Sequence, residues 1–81
     1  MNLEIDRIIS VLFSGRADVT DAIKSLGYSF RQGTPFGGAL YEKAGHELLF
    51  TVEQGTLAAV TYYDKSTNKH VDLVRGGRRV C

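Results

Sequence analysis

The chain has 81 residues, 43% of them hydrophobic and 23% charged, and a net charge of +1 at pH 7, which is typical of one soluble globular domain. So small a net charge gives no overall field that would favour nucleic acid or an anionic membrane, and no apolar run is long enough to cross a bilayer. The single cysteine, Cys81, excludes an internal disulfide and a cysteine-based metal site. Because Glu4 and Asp6 stand where an export signal carries positive charge, we expect a cytoplasmic protein.

The first third of the chain predicts a hairpin of two amphipathic helices. Apolar residues recur at spacings of three and four over residues 3–13, and Asn2 is a suitable N-cap. A second apolar stripe follows over residues 19–26, after the capping residue Asp18. Gly27 then ends this helix, because glycine adopts the left-handed conformation at little cost. Two short helices cannot bury both stripes on each other, so they need a third surface.

Beyond residue 38 the pattern changes to short segments rich in Leu, Val, Thr, Phe and Tyr, separated by three turn signals. These segments predict a four-stranded antiparallel meander, with strands over residues 38–43, 46–53, 56–63 and 69–75. The expected fold class is α+β, in the order ααββββ, with the N-terminal helical hairpin packed on one face of the sheet.

The turns assign each side chain to one of the two sheet faces. A two-residue loop at Gln54–Gly55 would place Phe50 opposite Ala59. The face assigned to the helices then carries Tyr41, Leu48, Phe50, Val52, Leu57, Ala59, Val71 and Leu73. The other face carries an apolar strip of Leu40, Leu49, Val60 and Tyr62. A solvated sheet face normally carries polar residues, so this strip is unusual.

Residues 33–38 read GTPFGG, and their glycines raise the question of a phosphate-binding loop. Such a loop lies between a strand and a helix and carries a Lys-Ser/Thr pair, whereas this segment precedes a strand and lacks that pair. We interpret it as a connector between the helices and the sheet, because Pro35 disfavours the helical conformation at Thr34. Phe36 is then either an exposed anchor for a partner or a residue packed under the sheet.

A polar row lies beside the apolar strip in this register. It consists of Glu42, Glu47, His70 and Asp72. Carboxylates and an imidazole can bind a divalent cation or transfer protons. We expect neither activity, because one histidine without a cysteine or a second histidine does not complete a zinc site. The chain also lacks a Gly-x-Ser-x-Gly nucleophile motif, so we predict no catalytic residue, no metal site and no cofactor.

The C-terminus has the one local excess of positive charge. We expect residues 76–81 to form a flexible basic tail after a domain of residues 1–75. Basic residues combined with Tyr62 and Tyr63 would suit a nucleic acid, whose bases stack on aromatic rings. The residues of this alternative site for nucleic acid or another anion are Arg31, Lys65, Lys69, Arg75, Arg78 and Arg79.

An exposed apolar patch on a small domain usually marks a contact surface. We therefore predict a small non-catalytic module that binds another protein or a second copy of itself through its open sheet face, and not a membrane. The length of the chain is typical of inhibitors, immunity proteins and phage anti-defence proteins, which occlude a partner. The predicted partner-binding residues are Leu40, Leu49, Val60, Tyr62, Glu42, Glu47, His70 and Asp72.

Overall fold

The computed structural model describes residues 3–13, 19–34, 38–53 and 56–80. The predictions for the caps Asn2 and Asp18, for Phe36, for the Gln54–Gly55 turn and for the side chain of Val52 fall outside this description.

Both predicted helices are present. Helix α1 spans Leu3–Leu12 and helix α2 spans Val19–Ser25. Gly27 follows α2 with a φ of 98°, the left-handed conformation expected of a helix-ending glycine. Its N–H donates to the carbonyl of Lys24 at 3.0 Å and so satisfies one of the last free carbonyls of the helix. Within the described residues, neither helix has the length and apolar character needed to cross a membrane.

The strands form a single antiparallel meander in which each strand pairs with the next one along the chain. They are β1 Ser29–Gly33, β2 Ala39–Lys43, β3 His46–Glu53, β4 Thr56–Asp64, β5 Lys69–Arg75 and β6 Arg78–Arg79. The α+β class and the antiparallel meander are confirmed. The predicted number of four strands is wrong, because β1 and β6 flank the four predicted strands on either side.

The GTPFGG segment joins two antiparallel strands, so its interpretation as a helix-to-sheet connector is wrong. Its ends are tied together: the Thr34 N–H donates to the Gly38 carbonyl at 3.1 Å, and the Gly38 N–H donates to the Thr34 hydroxyl at 3.0 Å. Position 38 requires glycine because there is no room for a Cβ atom. A Cβ at this position would lie 2.1 Å from the carbonyl oxygen of Phe50.

Two β-bulges interrupt the pairing of the central strands. Ala58 is an extra residue in β4 opposite β3, and Leu73 is an extra residue in β5 opposite β4. A bulge leaves backbone groups of the extra residue outside the ladder. The C-terminal segment satisfies both carbonyls: the Gly77 N–H donates to Ala58 at 2.9 Å and the Val80 N–H donates to Leu73 at 3.1 Å.

The first bulge reverses the predicted faces of β4. Phe50 pairs with Val60 instead of Ala59, so Val60 and Tyr62 face the same side as Phe50. Val60 is 0% and Tyr62 1% exposed. Their predicted place on the open face is therefore wrong, and Ala59, predicted to face the helices, pairs with Thr51 on the other side.

One cluster of buried side chains joins the helices and the sheet. Helix α1 contributes Ile8 and Ile9, and α2 contributes Ile23. The other members are Tyr28, which directly precedes β1, and the strand residues Tyr41, Leu48, Phe50, Val60, Tyr62, Leu73 and Val74. The bulge at Leu73 allows Leu73 and Val74 to be buried although they are neighbours in the chain, because it breaks the normal alternation of a strand.

Strands β1 and β6 form the two borders of the sheet. All five residues of β1 are exposed, and Arg31 is the unpaired residue of a third bulge. Strand β6 has only two residues. The domain boundary after residue 75 stays a prediction. Beyond it, Arg78 and Arg79 pair with β5 and so belong to the sheet.

Candidate binding face on the open side of the sheet

The side of the sheet opposite the core is the candidate functional site. Cross-strand partners share a face, and the pairing places eight residues in two rows there. We call these rows the open face: Leu40, Leu49, Thr61 and Asp72 in one, and Glu42, Glu47, Tyr63 and His70 in the other. The predicted Leu40, Leu49, Glu42, Glu47, His70 and Asp72 are thus brought together, whereas Thr61 and Tyr63 stand where Val60 and Tyr62 were expected.

A shallow groove of about 210 Å³ crosses the centre of the open face. We call it the sheet groove; its walls are Leu40, Glu47, Leu49, Thr61, Tyr63 and His70. Leu49 is 39% exposed. The rings of Tyr63 and His70 stack with centroids 4.4 Å apart and planes 22° apart, which makes one wall flat and aromatic. The groove offers an apolar and aromatic contact surface with polar groups at its ends.

The carboxylates of the open face are neutralised by neighbouring cations. Glu47 Oε1 lies 3.2 Å from Arg31 Nη1 and 3.4 Å from Lys65 Nζ. Glu42 Oε2 lies 3.6 Å and 3.9 Å from the same two cations. Each of these ion pairs is at least partly exposed and contributes little to stability. Their main effect is to leave the apolar centre of the open face flanked by charges of both signs.

Asp72 forms a second, separate polar cluster on the open face. The Thr61 hydroxyl donates to Asp72 Oδ1 at 3.1 Å, and the Arg75 guanidinium donates to Asp72 Oδ2. The hydrogen bonds from Arg75 and Thr61 lower the pKa of Asp72, since they favour its charged form. Asp72 is therefore a satisfied rim residue.

The open face is poorly arranged for metal binding. No group of three or more His, Cys, Asp or Glu side chains that could hold a metal ion occurs within the described residues. Glu42 and Glu47 turn toward Arg31 and Lys65 instead. Glu42, Glu47 and Asp72 are thus engaged in ion pairs, and His70 stacks on Tyr63.

The basic residues of the nucleic-acid alternative are not gathered into one patch. Arg31 lies on β1 and Arg78 and Arg79 on β6, at opposite borders of the sheet. Arg31 and Lys65 approach the carboxylates of Glu42 and Glu47, and Arg75 pairs with Asp72. Lys69 pairs across the ladder with Asp64. Phosphate binding requires cations that are free to replace counterions, so this arrangement weighs against that alternative.

On the core side of the sheet, Glu4, Lys43 and Tyr28 form a partly buried network of polar contacts that was not predicted from the sequence. Glu4 Oε2 lies 2.6 Å from Lys43 Nζ, and the Tyr28 hydroxyl donates to the same oxygen at 2.7 Å. Lys43 also donates to the carbonyl of Leu26 at 3.0 Å. Burial alone would raise the pKa of Glu4, but the hydrogen bonds from Lys43 and Tyr28 outweigh it and lower the pKa. This network ties α1 and the end of α2 to strand β2.

The hydroxyl of the buried Tyr62 also has a partner. It lies 2.6 Å from Nδ1 of His46, and the two rings stack with centroids 5.7 Å apart. A buried tyrosine normally places its hydroxyl on such a partner. The bulge at Ala58 turns Tyr62 toward the core and so brings its hydroxyl to His46.

Comparison of the chain with models of protein families, with characterised proteins and with solved structures finds no significant match. The assignment of the open face as the candidate site therefore depends on its geometry alone.

Proposed function

We propose that the chain is a small non-catalytic protein-binding module of the cytoplasm that occludes a partner protein through the open face. The single observation that carries this proposal is the sheet groove, an apolar and aromatic strip framed by ion pairs. Apolar and aromatic centres with polar rims are typical of energetic centres in protein interfaces. An inhibitor, immunity or phage anti-defence role is the form of occlusion that we propose for a domain of this size.

The chemistry of the open face favours a protein partner over a small molecule. The sheet groove is shallow, and ligand pockets usually enclose most of a small molecule in a larger cavity. Leu49 and the Tyr63–His70 stack instead form a surface that a complementary protein surface can cover. The ion pairs of Arg31 and Lys65 would then contribute specificity more than affinity.

The test compares two substitutions of exposed leucines on opposite sides of the molecule. Leu49→Arg places a charge in the sheet groove, whereas Leu3→Arg places the same charge on α1, where Leu3 is 70% exposed. A partner captured by the wild-type chain from its natural source is purified and titrated with each variant. Leu49→Arg should weaken its binding about tenfold or more, because a charge is buried at an interface centre. Leu3→Arg should leave it unchanged.

Amine footprinting of the complex provides an independent readout. Lys65 borders the open face, and Lys24 lies on α2, so the partner should protect Lys65 from acetylation and leave Lys24 reactive. Far-UV circular dichroism verifies that both variants are folded. If a folded Leu49→Arg variant binds the partner as well as the wild type does, or if Lys24 is protected in place of Lys65, the proposed surface is wrong.

A further inference from the structure

The outward side of α1 carries a second groove, separate from the open face. A groove of about 500 Å³ runs along the helix, and we call it the helix groove. It is lined by Leu3, Asp6, Arg7, Ser10, Val11 and Leu26. Leu3 is 70% exposed, and Phe13, at the other end of the helix, is 48% exposed. Ile8 and Ile9 are buried in the core, and Val11 and Leu26 pack against it, so Leu3 and Phe13 are the apolar side chains of this region that are largely exposed.

Two opposite charges stand side by side at the middle of this groove. Asp6 and Arg7 are neighbours in the chain and both line it. Both are exposed, and neither forms an ion pair within the part of the chain that the structure describes. By contrast, Glu42, Glu47 and Asp72 of the open face have cationic partners. The two charges of the helix groove are thus available to an external partner.

We propose that the helix groove is the interface of a homodimer in which two copies of α1 pack antiparallel about a two-fold axis. An axis that passes between Asp6 and Arg7 brings Asp6 of each copy to Arg7 of the other. The same rotation brings Leu3 of each copy beside Ser10 of the other, since residues three, four and seven apart share one side of a helix.

Charge complementarity is the reason for committing to a second copy. An acidic and a basic residue next to each other become their own complement under a two-fold rotation, and two-fold symmetric dimers are the commonest oligomers. The dimer would form two Asp6–Arg7 pairs and cover Leu3, the most exposed large hydrophobic residue in the part of the chain that the structure describes. The open face takes no part in this contact and stays available in both copies.

Charge reversal in a homodimer tests this geometry directly. Asp6→Arg alone and Arg7→Asp alone each set like charges against each other across the axis, whereas the double variant restores opposite charges at unchanged net charge. The wild type should sediment at twice the 8.9 kDa of the chain at high concentration and dissociate on dilution. Each single variant should raise the dissociation constant about tenfold or more, and the double variant should return it to within about threefold of the wild type.

Two further variants keep the test decisive. Leu3→Ser should weaken the dimer without adding charge, and Leu49→Arg should leave it intact, because Leu49 lies on the open face. Circular dichroism establishes that α1 is folded in each variant. A wild type that is monomeric at every concentration overturns the proposal, and so does a dimer that Leu49→Arg dissociates while the Asp6 and Arg7 reversals do not. Neither result bears on whether the open face binds another protein.

Discussion

Phe50 lies opposite Val60 across the β3–β4 pair, and this relationship decides which side chains of β4 enter the core. A regular two-residue hairpin would set Phe50 against Ala59. The extra residue Ala58 shifts the pairing by one, and a shift of one residue moves every later side chain to the other face. Thr61 and Tyr63 therefore lie on the open face, and the side chains of Val60 and Tyr62 are buried in the core.

The alternation of β4 is tested by comparing Val60→Ala with Leu49→Ala. Val60 is fully buried, so its truncation should lower the free energy of unfolding by roughly 2–3 kcal/mol, through lost burial and a cavity. Leu49 is 39% exposed, and its truncation should cost less than about 1 kcal/mol. Urea denaturation monitored by tyrosine fluorescence measures both. A larger loss for Leu49→Ala than for Val60→Ala would show that the faces are assigned the wrong way round.

The Glu4–Lys43–Tyr28 network predicts a pH dependence of stability. The folded-state pKa of Glu4 is lowered, so its contribution is present above the ordinary glutamate pKa of about 4.3 and is lost as the pH falls through the folded-state value. Glu4→Gln should lower the free energy of unfolding at pH 7 by roughly 1–3 kcal/mol. The difference from the wild type should shrink as the pH falls through the lowered folded-state pKa of Glu4, because Glu4 is then protonated.

Glu53→Gln is the matched control for this pH series, because Glu53 is an exposed carboxylate on β3. It should change the stability at pH 7 by no more than about 0.5 kcal/mol. Thermal denaturation of the three proteins between pH 3 and pH 7, in steps of about one unit across the range of carboxyl titration, supplies the comparison. A constant difference between Glu4→Gln and the wild type over this whole range would contradict the proposed role of the network.

Two glycines are needed for different reasons: Gly38 because a side chain would clash, and Gly45 because its backbone has a positive φ. A methyl group on Gly38 would lie 2.1 Å from the Phe50 carbonyl oxygen, so Gly38→Ala should cost about 3 kcal/mol or more. Gly45 has open space around it but a φ of 81°, so Gly45→Ala should cost only about 1 kcal/mol. Chemical denaturation of both variants measures the contrast. Equal losses would mean that the β1–β2 loop does not approach β3 as described.

The nucleic-acid alternative is tested with a salt series. Because Arg31, Lys65 and Arg75 already have carboxylate partners, we expect no oligonucleotide binding with a steep salt dependence. The informative variant is Arg78→Ser with Arg79→Ser. Deletion of residues 76–81 would also remove the N–H groups that satisfy the two bulge carbonyls. Tight binding at low salt that falls steeply with added salt, and that the double variant loses, would favour the alternative.

The boundaries of the four predicted strands agree with β2 to β5 to within one residue, since strong turn signals separate these segments. The faces of β4 were not predictable from strict alternation. A local signal of the bulge does exist: Leu57 and Val60 are three residues apart, whereas Val60 and Tyr62 are two apart. A spacing of three within a strand indicates an inserted residue.

Strands and ion pairs that depend on residues far apart in the chain were harder to predict from the sequence. Strand β1 has one large apolar side chain, Phe30, and is exposed throughout, so only its pairing with β2 makes it a strand. The salt bridge of Glu4 with Lys43 joins a helix to a strand, and no spacing rule connects two such positions. The acidic row was identified, but its neutralisation by Arg31 depends on the same unforeseen strand.

The borders of the sheet also determine how the protein behaves when it is concentrated. Growth into a cross-β fibril needs a long, flat row of unpaired backbone groups on which another chain can template itself. The irregularity at Arg31 breaks that row on one side. On the other side β6 covers β5 only at Val74 and Arg75, and the part of β5 left uncovered is short and carries the charged residues Lys69 and Asp72. Growth of the sheet, strand upon strand, into an open-ended fibril is therefore disfavoured, because short, bulged and charged borders are poor templates for another chain.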